Sequence, residues 1–341
     1  MTTLTLRRRP LGRTDMDITT VGFGAWALGG GGWAYAWGSQ DDAESVRAIR
    51  HAVDSGVNWI DTSNIYGYGH SEEVVGQALR EIPERERPFV FTKVGMRPIP
   101  SDPFAEPVRD LHPDQIRAGV EASLRRLGIE RIDLYQFHWP DDTGVPVEES
   151  WGEMAGLVDE GKIRAPGVSN FDVPLLERCE AVRHVESLQP PFSPVDRAAG
   201  EELLPWCERH TTGVIVYSPM QSGLLTGAFS SQRVANLPDD DWRKRDAEFQ
   251  EPNLSRNLAL VATLESVARR HGVPTPVVAI AWTLRWPGVT GVIVGARSPR
   301  QVDGWISAGA TDLTDADMEE LAEAIRTSGA GRGLAIPADR S

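Results

Sequence analysis

Four polar side chains stand at or just beyond the ends of short β-branched or aromatic runs: Asp61, Tyr66, Lys93 and His138. A phenol with an ordinary pKa of about 10 is a poor proton donor or acceptor at neutral pH. A neighbouring ammonium should favour the phenolate and lower that value. The carboxylate of Asp61 would keep the Lys93 ammonium charged and oriented, offsetting its desolvation. A neutral His138 could hydrogen-bond a substrate oxygen and polarise it. Together they make a tuned proton donor beside an electrophilic clamp, suited to protonating an alkoxide as hydride reaches a carbonyl carbon. Taken singly, each has a plainer reading: a cap carboxylate, a loop aromatic, a surface ion pair, a satisfied histidine. Lysine is scarce, at positions 93, 162 and 244 only, so Lys93 stands out in a chain that otherwise uses arginine for its cations.

For these groups to meet, the runs that carry them must be neighbours. Such runs recur at 19–24, 57–61, 89–93, 132–138, 163–169, 185–189, 213–218 and 291–295, each bounded by turn residues. Amphipathic segments lie between and after them near 41–55, 71–82, 113–127, 147–160, 172–182, 199–210, 256–271, 275–286 and 314–326. Asp41, Ser71 and Asp172 are placed as helix caps, and Pro113 suits a first turn. Eight strand–helix alternations with short links predict an α/β fold of the (β/α)₈ TIM barrel type, with an open doubly wound sheet as the rival. In a barrel the C-terminal strand ends converge on one mouth, which is where the four groups would sit. Segments 4–8 and 15–18 predict a β-hairpin plugging the N-terminal end. Two long loops, 29–40 and 228–254, belong at the C-terminal mouth. The expected organisation is one domain over residues 1–341, with a core of about 11–325 and a loosely ordered tail at 327–341.

The segment Gly22-Phe23-Gly24-Ala25-Trp26-Ala27 imitates a dinucleotide fingerprint, with Asp41, Asp42 and Glu44 downstream. That motif needs a helix starting at its second glycine. Here Gly29-Gly30-Gly31-Gly32 follows and forbids one.

Composition narrows the partners. The 341 residues include 49 acidic against 35 basic ones, for a net charge of −14, which argues against a nucleic-acid binder. No apolar run is long enough to span a membrane. The run Arg7-Arg8-Arg9 is followed by Pro10 and Gly12 and not by an apolar stretch, so no secretory signal is expected. Cys179 and Cys207, both in helical segments, are expected as free thiols, and the chain as cytoplasmic.

The run from Gly56 through Asp61-Thr62-Ser63-Asn64-Ile65-Tyr66-Gly67, then Ser71-Glu72-Glu73-Val74-Val75-Gly76, resembles the aldo-keto reductase family. So do Ile132-Asp133-Leu134-Tyr135-Gln136-Phe137-His138 and Gly161-Lys162-Ile163-Arg164 leading into Gly167-Val168-Ser169-Asn170-Phe171. The likeness runs from about Leu11 to about Ile325 and is nearest the bacterial branch that also resembles potassium-channel β subunits. It implies a catalytic tetrad of Asp61, Tyr66, Lys93 and His138 with Tyr66 as proton donor, and a nicotinamide cofactor, NADPH in preference to NADH. It further implies that Ser169, Asn170 and Gln189 hold the carboxamide and that Tyr217 stacks on the nicotinamide ring. Ser218, Pro219, Met220, Ser222 and Gly223 would wrap the pyrophosphate. Gly24, Ala25, Trp26 and Asp61 would also contact the cofactor. The loop at 228–254 resembles one that folds over it.

The stretch Gly295-Ala296-Arg297-Ser298-Pro299-Arg300-Gln301 matches the family's site for the adenosine 2′-phosphate, with Arg297 and Gln301 as its matching residues. Gly304 and Trp305 replace an acid and an asparagine that often contact adenine, and Ala228 replaces a common lysine, whose contact would pass to Arg233 or Arg243 or be lost. Substrate contacts are expected from Trp33, Tyr66, His138 and Trp139, with Tyr35 and Trp37 nearby, around a small aldehyde or ketone, including sugar-type or aryl carbonyls. Two other functions stay open at this stage: an NADPH-binding sensor with little turnover, and a lyase forming a Schiff base on Lys93. Nothing in the sequence sets an oligomeric state.

Overall fold

A computed structural model describes residues 4–238 and 241–337. Its strands are β1 (Arg8–Pro10), β2 (Asp17–Thr19), β3 (Val21–Gly24), β4 (Trp59–Asp61), β5 (Phe89–Val94), β6 (Met96–Arg97), β7 (Val108–Arg109), β8 (Ile132–Phe137), β9 (Ile163–Ser169), β10 (Ser187–Gln189), β11 (Gly213–Val216) and β12 (Gly291–Gly295). Strands β3, β4, β5, β8, β9, β10, β11 and β12 pair in that order, all parallel, and β12 closes on β3. Closure removes the rival open sheet. The barrel strands fall within the eight expected runs, save that β5 extends one residue further, to Val94, and helices occupy the intervals between them.

The hairpin β1–β2 is antiparallel, with its arms at 8–10 and 17–19, not at 4–8 and 15–18 as expected. Leu11, Met16 and Ile18 pack on Trp59, Phe91, Leu134, Ala165 and Ile215 inside the barrel, so the hairpin closes the end away from the site. Trp59 dictates its neighbour: a Cβ on Gly22 would lie 2.1 Å from the indole, so only glycine leaves room for that ring. The remaining core lies between the strands and the surrounding helices.

Asp41 and Asp172 cap their helices, accepting from the backbone N–H of Glu44 and Leu175. Ser71 does not cap. Its helix begins one residue earlier, at His70, and its hydroxyl donates to the Ala25 carbonyl at 2.8 Å, tying the first turn of that helix to the segment after β3. After Gly24 the chain makes a short 3-10 turn, Trp26–Gly29, and the next α-helix starts only at Asp42, as the glycine run required.

The described part of the tail makes specific contacts with the rest of the chain. Helix Asp315–Ser328 extends past the expected end of the core. Arg197, 2% exposed, donates to the carbonyls of Ala330, Gly333 and Leu334 as well as that of Pro194. Asp196 pairs with Arg332 through both carboxylate oxygens. Residues 338–341 of that expected tail, and 239–240 of the loop at 228–254, lie outside the described residues. Cys179 and Cys207 are free and buried, and burial pushes both thiols up, Cys179 to about 12. No helix among the described residues is long and apolar enough to cross a membrane.

Candidate active site

Strand register assembles the polar cluster. Asp61 ends β4 opposite Gly24 on one side and Phe91 on the other, Lys93 pairs with Gln136, and Gln189 pairs with Ser169. These positions face one mouth because side chains on a tilted parallel barrel stack in layers. Tyr66 comes from the 3-10 turn just after β4. That turn packs on the Trp26–Gly29 turn so closely that a Cβ on Gly67, at φ +60°, would lie 2.1 Å from the Gly29 carbonyl oxygen. Two glycine turns pressed backbone to backbone therefore fix where the Tyr66 ring stands.

The four groups meet. Lys93 Nζ donates to Asp61 Oδ1 at 2.5 Å, to the Thr62 carbonyl at 3.0 Å and to Tyr66 Oη at 3.4 Å. It also lies 5.2 Å from the centre of the Tyr66 ring, and the His138 ring stands edge-on to that ring at 5.7 Å. Asp61 and Lys93 are 3% and 0% exposed at their side chains, so this is a buried ion pair. Buried pairs persist where further hydrogen bonds satisfy the remaining lone pairs. Here Gln136 and Gln189 donate to Asp61 Oδ2 at 3.3 and 3.0 Å, and Gln189 also donates to Gln136 Oε1.

The electrostatics correct one expectation. Lys93 does not bring the Tyr66 phenol down. Burial raises it well above its ordinary range and the Asp61 carboxylate adds to the rise. The reason is geometric: the ammonium is closer to the carboxylate than to the phenol, and the nearly neutral pair leaves little field to offset desolvation. Burial draws Lys93 downward, against the pull of Asp61 and Glu72. His138 is held well below its ordinary value by burial and then by Lys93, so its ring is neutral at neutral pH. Its Nδ1 lies 3.1 Å from Ser63 Oγ.

Above this cluster opens a cavity of about 770 Å³. Its lining contains nearly every residue expected to touch cofactor or substrate: Gly24, Trp26, Trp33, Asp61, Tyr66, His138, Trp139, Ser169, Asn170, Gln189, Tyr217, Ser218, Pro219, Met220, Ser222, Gly223, Gly295, Arg297 and Gln301. Lys93 and Ala25 are fully buried behind that wall. Tyr217 donates to Asn170 Oδ1 at 2.9 Å, Asn170 Nδ2 donates to the His138 carbonyl at 2.9 Å, and the Ser169 hydroxyl donates to the Gln189 carbonyl at 2.7 Å. Asn170, Ser218 and Ser222 have positive φ, which turns the chain sharply at the rim.

Both long loops border the opening. Trp33 is buried, 6.3 Å from the Tyr66 ring, and Trp26 stacks on Tyr66 at 6.2 Å. From the second loop, Trp242 also stacks on Trp26, at 6.3 Å. Arg233 and Arg243 line the cavity from the same loop, Arg243 paired with Asp241. That loop has its own small core of Phe229, Val234, Phe249 and Leu254 against Leu224. Sequence reasoning left out Gln136, Ser63, Gln40 and Trp242. Gln136 and Ser63 stood inside the motifs already singled out. Gln40 and Trp242 carry no local signal.

Comparison with known proteins gives the family context. The Aldo/keto reductase family model matches residues 20–326. The chain is 35% identical over 309 residues to the aldo-keto reductase YhdN of Bacillus subtilis, covering 90% of each chain. It is 35% identical over 332 residues to the NADH-specific methylglyoxal reductase of Escherichia coli, covering 94% of this chain and 99% of that one. Among solved structures, the glycerol dehydrogenase AKR11B4 from Gluconobacter oxydans matches with a TM-score of 0.85 and 37% identity, covering 100% of this chain and 99% of that one.

Proposed function

Because the chain belongs to the aldo/keto reductase family, we propose that it reduces aldehydes or ketones to alcohols with NADPH in preference to NADH, Tyr66 giving the proton. The observation that carries this reading is the contact of Lys93 Nζ with Tyr66 Oη at the base of an aromatic cavity, with Asp61 behind it.

The cavity fits a nicotinamide dinucleotide. Arg233, Arg243 and Arg297 line it and would face its phosphates. Tyr217 offers an aromatic face beside Ser169, Asn170 and Gln189 for a carboxamide. The indole N–H groups of Trp37 and Trp305, both in the lining, are buried without a partner and are donors a nucleotide could meet. Such a cofactor, when bound, supplies a hydride to the carbonyl carbon.

The residues then divide the remaining work. Neutral His138 and the Tyr66 hydroxyl donate to the carbonyl oxygen and hold it over the cluster. A raised phenol keeps its proton until an alkoxide forms. An alkoxide is a far stronger base than a phenolate, so transfer from Tyr66 Oη is downhill at that moment. Lys93 steadies the phenolate left behind, and Asp61 with its two glutamine donors keeps the ammonium aimed. The aromatic walls exclude water and fit small carbonyl compounds. The names of the Escherichia coli and Gluconobacter oxydans relatives also point to small oxygenated substrates. Lys93 is fully buried and bonded on three sides, which counts against a Schiff base at that amine.

NADPH preference is drawn from Arg297, which no carboxylate neutralises among the described residues. The experiment is a screen of NADPH and NADH oxidation over aldehydes and ketones, run beside Tyr66→Phe. Substrate-dependent oxidation that the variant lacks supports the reading. Tight nucleotide binding without turnover supports a sensor.

A further inference from the structure

We propose that Gln40 and Arg297 form a latch through which the adenosine end of a bound nucleotide tightens the aromatic wall of the carbonyl site. The proposal deepens the functional reading above and rests on it for the identity of the nucleotide.

Gln40 ends the glycine-rich loop that carries Trp33, Tyr35 and Trp37. Its side-chain amide binds Arg297 in both directions: Oε1 accepts from Arg297 Nε at 2.6 Å, and Nε2 donates to the Arg297 carbonyl at 2.9 Å. The same guanidinium donates to the carbonyls of Trp37, at 3.2 Å, and Ser39. One arginine just past β12 thus holds the last residues of a loop 257 positions away in sequence. Beyond these bonds, that end of the loop is held by the ring contacts of Trp37 and by Gln40 Nε2 donating to Ser45 Oγ at 3.0 Å. Gly30, Gly32 and Gly38 all have positive φ, and nothing lies within 4 Å of where a Cβ would stand on Gly32 or Gly38. Loops of this kind open at small cost unless they are tied down.

The latch reaches the reacting hydroxyl through aromatic contacts. Trp37 stands edge-on to Trp26 at 5.5 Å and to Trp242 at 5.9 Å, and Arg243 lies 5.2 Å over its ring. Trp26 in turn stacks on Tyr66. Trp37 therefore braces two members of a stack that ends on the proton donor, and its backbone carbonyl is one of the three oxygens Arg297 grips.

Donor arithmetic supplies the nucleotide end. A guanidinium has five N–H donors. Three are committed here to neutral oxygens, so two remain, and no carboxylate pairs with the positive charge among the described residues. A 2′-phosphate taking those two would pin the guanidinium from the far side and leave the latch closed. Ordering the loop in advance lowers the cost a carbonyl compound must meet on binding, which is positive coupling between two sites.

The test uses protein free of nicotinamide and reads binding, not turnover. Affinity for 4-nitrobenzaldehyde is measured from quenching of tryptophan fluorescence, alone and with adenosine 2′,5′-bisphosphate or 5′-AMP. The bisphosphate should tighten the aldehyde about fivefold and 5′-AMP should not, with the aldehyde tightening the bisphosphate by the same factor. Gln40→Ala should weaken aldehyde binding, shift the near-ultraviolet circular dichroism of the tryptophans and abolish the coupling. Gln40→Glu, which still accepts from Arg297, should restore aldehyde affinity. Bisphosphate that binds tightly yet leaves aldehyde affinity unchanged, or full coupling in Gln40→Ala, would overturn the latch while sparing the NADPH reading. A bisphosphate no tighter than 5′-AMP would overturn the nucleotide end of the latch and the NADPH preference together.

Discussion

The ammonium of Lys93 lies 3.4 Å from the phenolic oxygen of Tyr66 but 2.5 Å from the carboxylate of Asp61. That ordering decides the chemistry of the site. The phenol is buried and the cation belongs first to the carboxylate, so the phenol stays protonated in the resting protein and the lysine acts on the phenolate only as it forms.

Breaking the pair should cost more than deleting it. Asp61→Asn leaves a buried ammonium uncompensated and should lower stability by about 3–5 kcal/mol. Lys93→Met does the same to a carboxylate. The double variant Asp61→Asn/Lys93→Met should be more stable than either single one, by chemical denaturation, while remaining inactive. Additive losses would mean that the two charges do not depend on each other.

His138 makes stability depend on pH in one direction. Its folded-state value is held well below the ordinary one, so below about pH 6.5 the unfolded chain takes up a proton that the folded protein refuses. This contribution is complete above that pH and is lost as the pH falls, by about 1.4 kcal/mol per pH unit until the folded value is reached. His138→Asn should flatten the slope of unfolding free energy between pH 6.5 and 5 by that amount, and an unchanged slope would show that the histidine titrates normally.

Cofactor choice should follow Arg297. Arg297→Ala should lower the ratio of kcat/KM for NADPH over NADH by at least about tenfold, as expected for losing a charge-assisted phosphate contact. The same ratio in wild type and variant would remove Arg297 from 2′-phosphate recognition. The Escherichia coli relative, named as NADH-specific, makes this comparison the direct one for cofactor preference.

Much of this architecture was legible in the sequence, for local reasons. Strand runs end in turn residues, and strand ends in a parallel barrel must converge, so Asp61, Tyr66, Lys93 and His138 could be gathered before any coordinates. What stayed hidden depends on contacts across long separations. Gln136 and Asp61 are 75 residues apart, and Gln40 and Arg297 are 257 apart. No periodicity encodes either. The contacts of the tail are hidden in the same way: buried Arg197 offers four donors to backbone carbonyls, most of them in that segment. The direction of the Tyr66 shift is hidden for a related reason: the sequence places a cation near a phenol without showing how deeply the phenol is buried.

Arg197→Met should therefore expose the tail. Removing the guanidinium strands carbonyls that are now satisfied, at about 1–3 kcal/mol for each buried one. Limited proteolysis should cut between residues 329 and 337 in the variant under conditions where the wild-type protein resists. Equal resistance would mean that Asp196 and Arg332 hold the segment unaided.

The most direct test of the central claim is a single-turnover measurement of nicotinamide oxidation by carbonyl substrate, comparing wild type with Tyr66→Phe at saturating nucleotide. The account predicts a rate lower by at least about 10³-fold in the variant, with nucleotide affinity within about twofold. A variant that keeps its rate would show that some other group delivers the proton, and the role assigned to Tyr66 would be wrong.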